Sequence, residues 1–102
     1  MATITITEVI DDLRTADEIT RRFERLYWLS SEDFYKLYQQ GLLDDGEHVE
    51  DFALWAGYYE IAQDRQKTLE LLSHQRTAQL RRQVTRGLIS IAPPEPSLKV
   101  VA

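Results

Sequence analysis

Residues 51–86 read DFALWAGYYEIAQDRQKTLELLSHQRTAQLRRQVTR, with no proline and a single glycine. Ala, Leu, Gln, Glu, Lys and Arg dominate the stretch, and these residues lose little side-chain freedom in a helix. The pattern predicts one long helix beginning near His48 and ending at Gly87. Roughly 40 residues at ~1.5 Å rise make a rod about 60 Å long. A globular helix averages about 11–12 residues, and a 102-residue chain has one modest core with which to cover this one. Phe52, Leu54, Trp55, Tyr58, Tyr59 and Ile61 crowd the first half, which is expected to pack inside the chain. The second half is expected to leave the domain and meet something else.

The change of character comes at about Asp64. Beyond it Leu69, Leu72, Leu80, Val84 and Leu88 trace one stripe, while the turn holding Arg76 carries no apolar residue. That is not a sustained heptad. A narrow stripe with charged flanks still implies a partner, because a lone solvated helix gains little from burial. Arg76, Arg81, Arg82 and Arg86 flank it. Arginine without lysine suits bidentate contact with carboxylates or phosphates; the plainer reading is a solubilising face favoured by the helix dipole. The partner-binding set predicted here is Arg76, Arg81, Arg82 and Arg86 with Leu69, Leu72, Leu80, Val84, Leu88, Ile89 and Ile91.

Upstream, ATITIT at 2–7 alternates threonine and isoleucine and is a strand candidate against the plainer reading of a frayed end. Residues 8–28 read helical, on Val9, Ile10 and Leu13, then Ile19, Phe23, Leu26 and Tyr27. Thr15 and Glu18 have capping-box spacing, so the segment is either two helices or, as favoured, one helix with a kink. Residues 30–40 form the next helix, with Ser30 as cap, Asp33 in its first turn and Gly41 past its end. An acidic loop follows, in which Asp44 or Asp45 starts a turn. After Gly87, residues 88–92 and 97–101 are two strand candidates separated by Pro93, Pro94 and Pro96. The expected fold is mainly α: two or three short N-terminal helical segments on the first half of one long helix, with short terminal β arms. Its divisions are an acidic body at 1–72, a basic helical extension at 73–87 and a Pro-interrupted arm at 88–102.

The net charge of −5 conceals an asymmetry. Residues 1–72 hold seven Lys and Arg against sixteen Asp and Glu, a net of −9, and residues 73–102 hold five against one, a net of +4. An acidic body disfavours nucleic acid, and a basic extension can meet phosphate or an acidic protein surface. No run approaches a membrane span and the start lacks a secretory pattern, so the expected location is cytoplasmic and no membrane partner is expected. With no cysteines there are no thiolate ligands. Glu47, His48, Glu50 and Asp51 cluster, but they suit the positive end of a helix better than a metal. Glu60 and Asp64 at i and i+4 lack a matching Glu-x-x-His motif, and adjacent Ser73 and His74 point about 100° apart on a helix. No catalytic, cofactor or metal residue is assigned. The aromatics are expected to form the core, with Trp28, Tyr35 and Tyr58 as the alternates for an exposed patch.

Residues 29–72 contain Leu-Ser-Ser-Glu-Asp-Phe-Tyr, Gly41-Leu-Leu, an acidic loop, Phe52-x-x-Trp55 and Leu69-Glu-Leu-Leu72. This order resembles a group of small bacterial and archaeal helical proteins that look like antitoxin components encoded beside small RNase-type toxins. Ser30, Ser31, Glu32, Phe34, Tyr35, Gly41, Trp55 and Leu69 to Leu72 carry the likeness, and residues 73–102 extend past the usual end. The resemblance implies binding and neutralising a basic toxin, with dimerisation.

Two classes of function therefore compete. The first is a non-enzymatic interaction module that forms a homo-oligomer, a dimer first, through the long helix and binds a basic partner protein. The second is a nucleic-acid-binding regulator, either ribbon-helix-helix-like through residues 2–7 or acting through the arginine helix.

Overall fold

The computed structural model describes residues 3–43, 45–94 and 96–99 and contains three helices. These are α1 (Ile6–Tyr27), α2 (Ser31–Gln39) and α3 (Val49–Arg82). The molecule is a rod 62 Å in its longest dimension and 30 × 22 Å across. No helix among the described residues is long and apolar enough to cross a membrane.

The first helix runs unbroken through Thr15, which is exposed and caps nothing. A second Thr-x-x-Glu, ten residues upstream, is the capping box that forms. The Glu8 amide donates to Thr5 Oγ1 at 3.2 Å, and the Thr5 amide donates to the Glu8 carboxylate at 3.0 Å. Nucleation at Thr5 draws Ile6 and Thr7 into the helix, so the strand expected at 2–7 is not formed by residues 3–7. Ala2 lies outside the described residues.

At the other end α1 stops on Trp28, whose φ of 58° is left-handed and whose amide donates to the Glu24 carbonyl. Ser30 then caps α2 by accepting the Asp33 amide at 3.1 Å, and Gly41 follows at φ 71°. This matches the sequence pattern, because both signals are local.

The core lies where the three helices meet. Phe34 stacks on Trp55 with centroids 3.7 Å apart and planes 4° from parallel. Phe23, Phe52 and Ala56 complete the buried set, with Tyr27 and Tyr35 at its edge. The Trp55 indole N–H donates to Ser31 Oγ at 2.9 Å. That hydroxyl donates onward to Glu24 Oε2 at 2.7 Å, where the Ser31 amide also donates at 2.8 Å. One carboxylate thereby ties α1 to α2, and one hydroxyl ties α2 to α3.

A second apolar cluster lies farther along the rod. Leu72 is fully buried there with Ile4 and Val9, packed around by Ile6, Leu13, Leu69 and Leu98. This corrects the expectation that Leu69 and Leu72 leave the domain bare. Because α1 spans 22 residues antiparallel to α3, its N-terminal end reaches them. Asp12 accepts from Arg65 Nε at 2.7 Å and fixes the register of the two helices between the clusters.

The long helix ends at Arg82, five residues before the expected stop. Gly87 serves a tight turn instead: Thr85 and Leu88 exchange both backbone hydrogen bonds at 3.0 Å. The two residues between, Arg86 and Gly87, have φ of 56° and 75°, positive at both central positions as in a type I′ turn. β-Branched Val84 and Thr85 just past the helix weaken its last turn further. No strand is present among the described residues: Thr3 and the Thr85–Leu88 pair are isolated bridges, so the arms at 88–92 and 97–99 are not strands. Val100 and Val101 lie outside the described residues.

Replacing Ser31 with alanine removes the acceptor of a buried indole N–H. The expected loss is about 1–3 kcal/mol, read as a lower urea midpoint, with Ser31→Thr recovering part of it. An unchanged midpoint would show that the linkage adds nothing to the fold.

Candidate interaction surface

The residues singled out in the sequence divide into three groups along α3 and its extension. Leu69 is half-buried and Leu72 buried, both inside the chain. Arg76 and Leu80 are half-buried. Arg81, Arg82, Val84, Arg86, Leu88, Ile89 and Ile91 are exposed, with Leu88 at 73% and Ile91 at 71%. The basic, apolar surface therefore begins after Leu80, not at Leu69.

The C-terminal arm folds back over α3. The Gln75 side-chain amide donates to the Lys99 carbonyl at 2.7 Å and accepts the Lys99 amide at 3.1 Å. One helical turn on, Gln79 donates to the Ser97 carbonyl at 3.1 Å. Arg76 reaches the Ala92 carbonyl at 3.4 Å. Between the two glutamine contacts Leu98 enters the cluster around Leu72. An amide carries a donor and an acceptor side by side, so a glutamine can pair with extended backbone much as a neighbouring strand does. Glutamines at i and i+4 are the signal in the sequence, one that neither the apolar stripe nor the charge pattern marks.

The opposite end of the rod is acidic and hydrogen-bonded. Tyr27 donates to the Asp51 carboxylate at 2.7 Å, and Tyr35 to Glu60 at 2.6 Å. The hydrogen bond to Asp51, followed by burial and the negative charge nearby, pushes the Tyr27 phenol up to about 12. Glu60 and Asp64 do not share a site: Glu60 takes a tyrosine, and Asp64 pairs with Arg65 at 2.7 Å. Asp45 organises the approach to α3, its Oδ1 accepting the amides of Glu47 at 2.9 Å and His48 at 3.0 Å. Its Oδ2 lies 2.8 Å from His48 Nδ1. Asp44, the other candidate for this turn, lies outside the described residues. Among the described residues, no three or more His, Asp or Glu side chains group so as to hold a metal ion.

Of the three aromatics considered for an exposed patch, Tyr35 and Tyr58 are half-buried. Trp28 is 89% exposed. Its left-handed backbone and its bare indole are both unfavourable, and neither contributes to the core. Leu26 beside it and Leu54 and Ile61 on α3 are also exposed, although the sequence puts Leu26 on the apolar face of its helix and Leu54 and Ile61 inside the chain; helical spacing marks a face without fixing how far its neighbours cover it.

Trp28→Gly relieves the left-handed strain and is expected to raise stability by about 1 kcal/mol, measured by urea denaturation; a loss of that size would mean the indole supports the fold. For the acidic end, hydrogen bonding to His48 and to two amides holds the Asp45 carboxyl down at about 2, against an ordinary 3.8. Its stabilising effect is present above that ordinary value and lost as pH falls through about 2. The hydrogen bond to Asp45, with neighbouring negative charge, raises His48 above its ordinary 6.5 against the opposing pull of desolvation. Its contribution is complete below 6.5 and lost as pH rises through the folded-state value. Stability plotted against pH is therefore expected to fall on both flanks, and His48→Gln to flatten the alkaline one; an alkaline flank unchanged in that variant would remove His48 from the account.

A scan against protein-family models, a search of curated proteins and a search of solved structures found no match to this chain.

Proposed function

We propose that the chain is a non-enzymatic helical interaction protein with an antitoxin-like role in the cytoplasm. In this reading it assembles with itself, as a dimer first, and its acidic body binds a basic partner protein, along whose surface the C-terminal arm from Leu88 onward also lies. The observation that carries it is the bare apolar run at the basic end, where Val84, Leu88, Ile89 and Ile91 are exposed close to Arg81, Arg82 and Arg86. Apolar residues grouped beside arginine are the composition of protein interfaces, where Arg is enriched and Lys depleted. The body, at a net of −9, suits a cationic surface.

Nucleic acid remains the second reading, because Arg81, Arg82 and Arg86 project from the rod's end. It rests on that helix end alone: within the segment a ribbon needs, Thr5 is a cap, residues 6–7 are helix and Thr3 is an isolated bridge.

Deleting residues 88–102 is expected to abolish binding to the product of the neighbouring gene, which on this reading is a small basic nuclease-like protein, while far-UV circular dichroism stays helical. Light scattering of the intact chain is expected to give twice the monomer mass. Unchanged affinity after truncation would refute the arm's role. Gel shifts at about 50 and about 200 mM salt that showed tight, steeply salt-dependent DNA or RNA binding would favour the second reading.

A further inference from the structure

We propose that the C-terminal arm is exchanged between two copies of the chain, so that Pro96–Lys99 of each copy seats on α3 of the other. In this arrangement residues 88–92 of the two chains pair as an antiparallel ribbon across the two-fold axis. The inference rests on the oligomeric reading above and specifies its geometry.

The seat is visible with its occupant in place. Gln75 brackets the Lys99 backbone, Gln79 holds the Ser97 carbonyl, and Leu98 enters the Leu72 cluster. These contacts lie on α3 and on the N-terminal end of the chain, and none involves residues 83–91. The seat therefore takes the segment equally well from its own chain or from another, and the connection decides between them.

That connection is poorly suited to the closed form. All residues from 83 to 94 are exposed. A linker left in water is ordinarily polar, yet this one carries Val84, Leu88, Ile89 and Ile91. Residues 89–91 make no backbone hydrogen bond with another described residue. Arg86 is held at φ 56°, a conformation that disfavours any residue with a Cβ. Opening the Thr85–Leu88 turn releases Arg86. Pairing the freed segments satisfies the backbone of 89–91 and sets Ile89 and Ile91 on one face of the ribbon against their symmetry mates. A two-stranded ribbon is marginal alone, but here both ends are anchored by seated arms. Reach is sufficient: eight or nine extended residues span roughly 30 Å at ~3.3–3.6 Å each, against transverse dimensions of 30 and 22 Å.

The absence of cysteine makes the test direct. Gln79→Cys with Ser97→Cys places one thiol on the seat and one on the arm, at solvent-accessible positions that leave Gln75 and Leu98 in place. Treatment of the double variant with a short bismaleimide, read by intact mass, is expected to give a covalent dimer carrying two cross-links. The two single variants, unfolded together, refolded as a mixture and cross-linked, are expected to give a covalent heterodimer. An adduct confined to one chain overturns the exchange, and so does no adduct at all, because the arm then leaves its seat empty. A dimeric mass by light scattering with the adduct inside one chain sinks the exchange and leaves the oligomeric reading standing. A monomeric mass sinks both.

Discussion

The Trp55 indole is fully buried, and its one polar atom has to be satisfied inside the protein. Ser31 meets that demand and passes the hydrogen bond on to the Glu24 carboxylate, which also holds the Ser31 amide and pairs with Arg21 at 2.8 Å. One residue from each helix is thus locked by a requirement that admits few alternatives. The stacked face of Phe34 and the flanking Phe23 and Phe52 rings exclude water from the chain of donors and acceptors. The Ser30-Ser31 pair divides the labour: the first serine caps α2 from outside, and the second works in the core. Where those three helices are pinned sets where everything farther along the rod falls.

Farther along, the antiparallel path of α1 brings its beginning to Leu72, and the Arg65–Asp12 pair holds that alignment. The stripe of apolar residues on α3 is consequently split. Its first members are satisfied within the chain, Leu80 is half-covered, and the rest emerge beside arginines. The same geometry spreads the negative charge of residues 1–72 along the body and leaves Arg81, Arg82 and Arg86 exposed past its end. The phenols of Tyr27 and Tyr35 donate to Asp51 and Glu60, so the aromatic edge accommodates carboxylates by hydrogen bonding to them. The molecule presents two chemically distinct ends, set apart by the 34 residues of α3, which span about 51 Å at ~1.5 Å rise within a 62 Å overall extent.

Much of this was legible in the residues themselves. Ser30, Asp33 and Gly41 bound α2 through hydrogen bonds and backbone angles that involve near neighbours alone. The aromatic spacing placed Phe23, Phe34, Phe52 and Trp55 in one core, and the run from residue 51 onward specified a helix longer than the domain could enclose. Those are consequences of propensity and periodicity, which act over a few residues and leave their mark in the order of the chain.

Other features depended on what lies across space. Two Thr-x-x-Glu sequences compete to start a helix at 5 and at 15, and the second loses because the first turn of α1 also buries Ile4 and Val9 on Leu72. Gly87 looked like a helix stop and became a turn residue, since folding back the arm requires the reversal at 85–88. The alternation in ATITIT and in residues 88–92 signals strands, but a strand exists only where another edge accepts its hydrogen bonds in succession; Thr3 and Leu88 form isolated bridges, and residues 4–7 and 89–92 meet no such edge among the described residues. Gln75 and Gln79 became a seat because residues more than fifteen positions away return to them. Local chemistry dictated the helices and their caps; only the packing of α1 along α3 decided which leucines are hidden, because burial is a property of pairs that sequence distance does not encode.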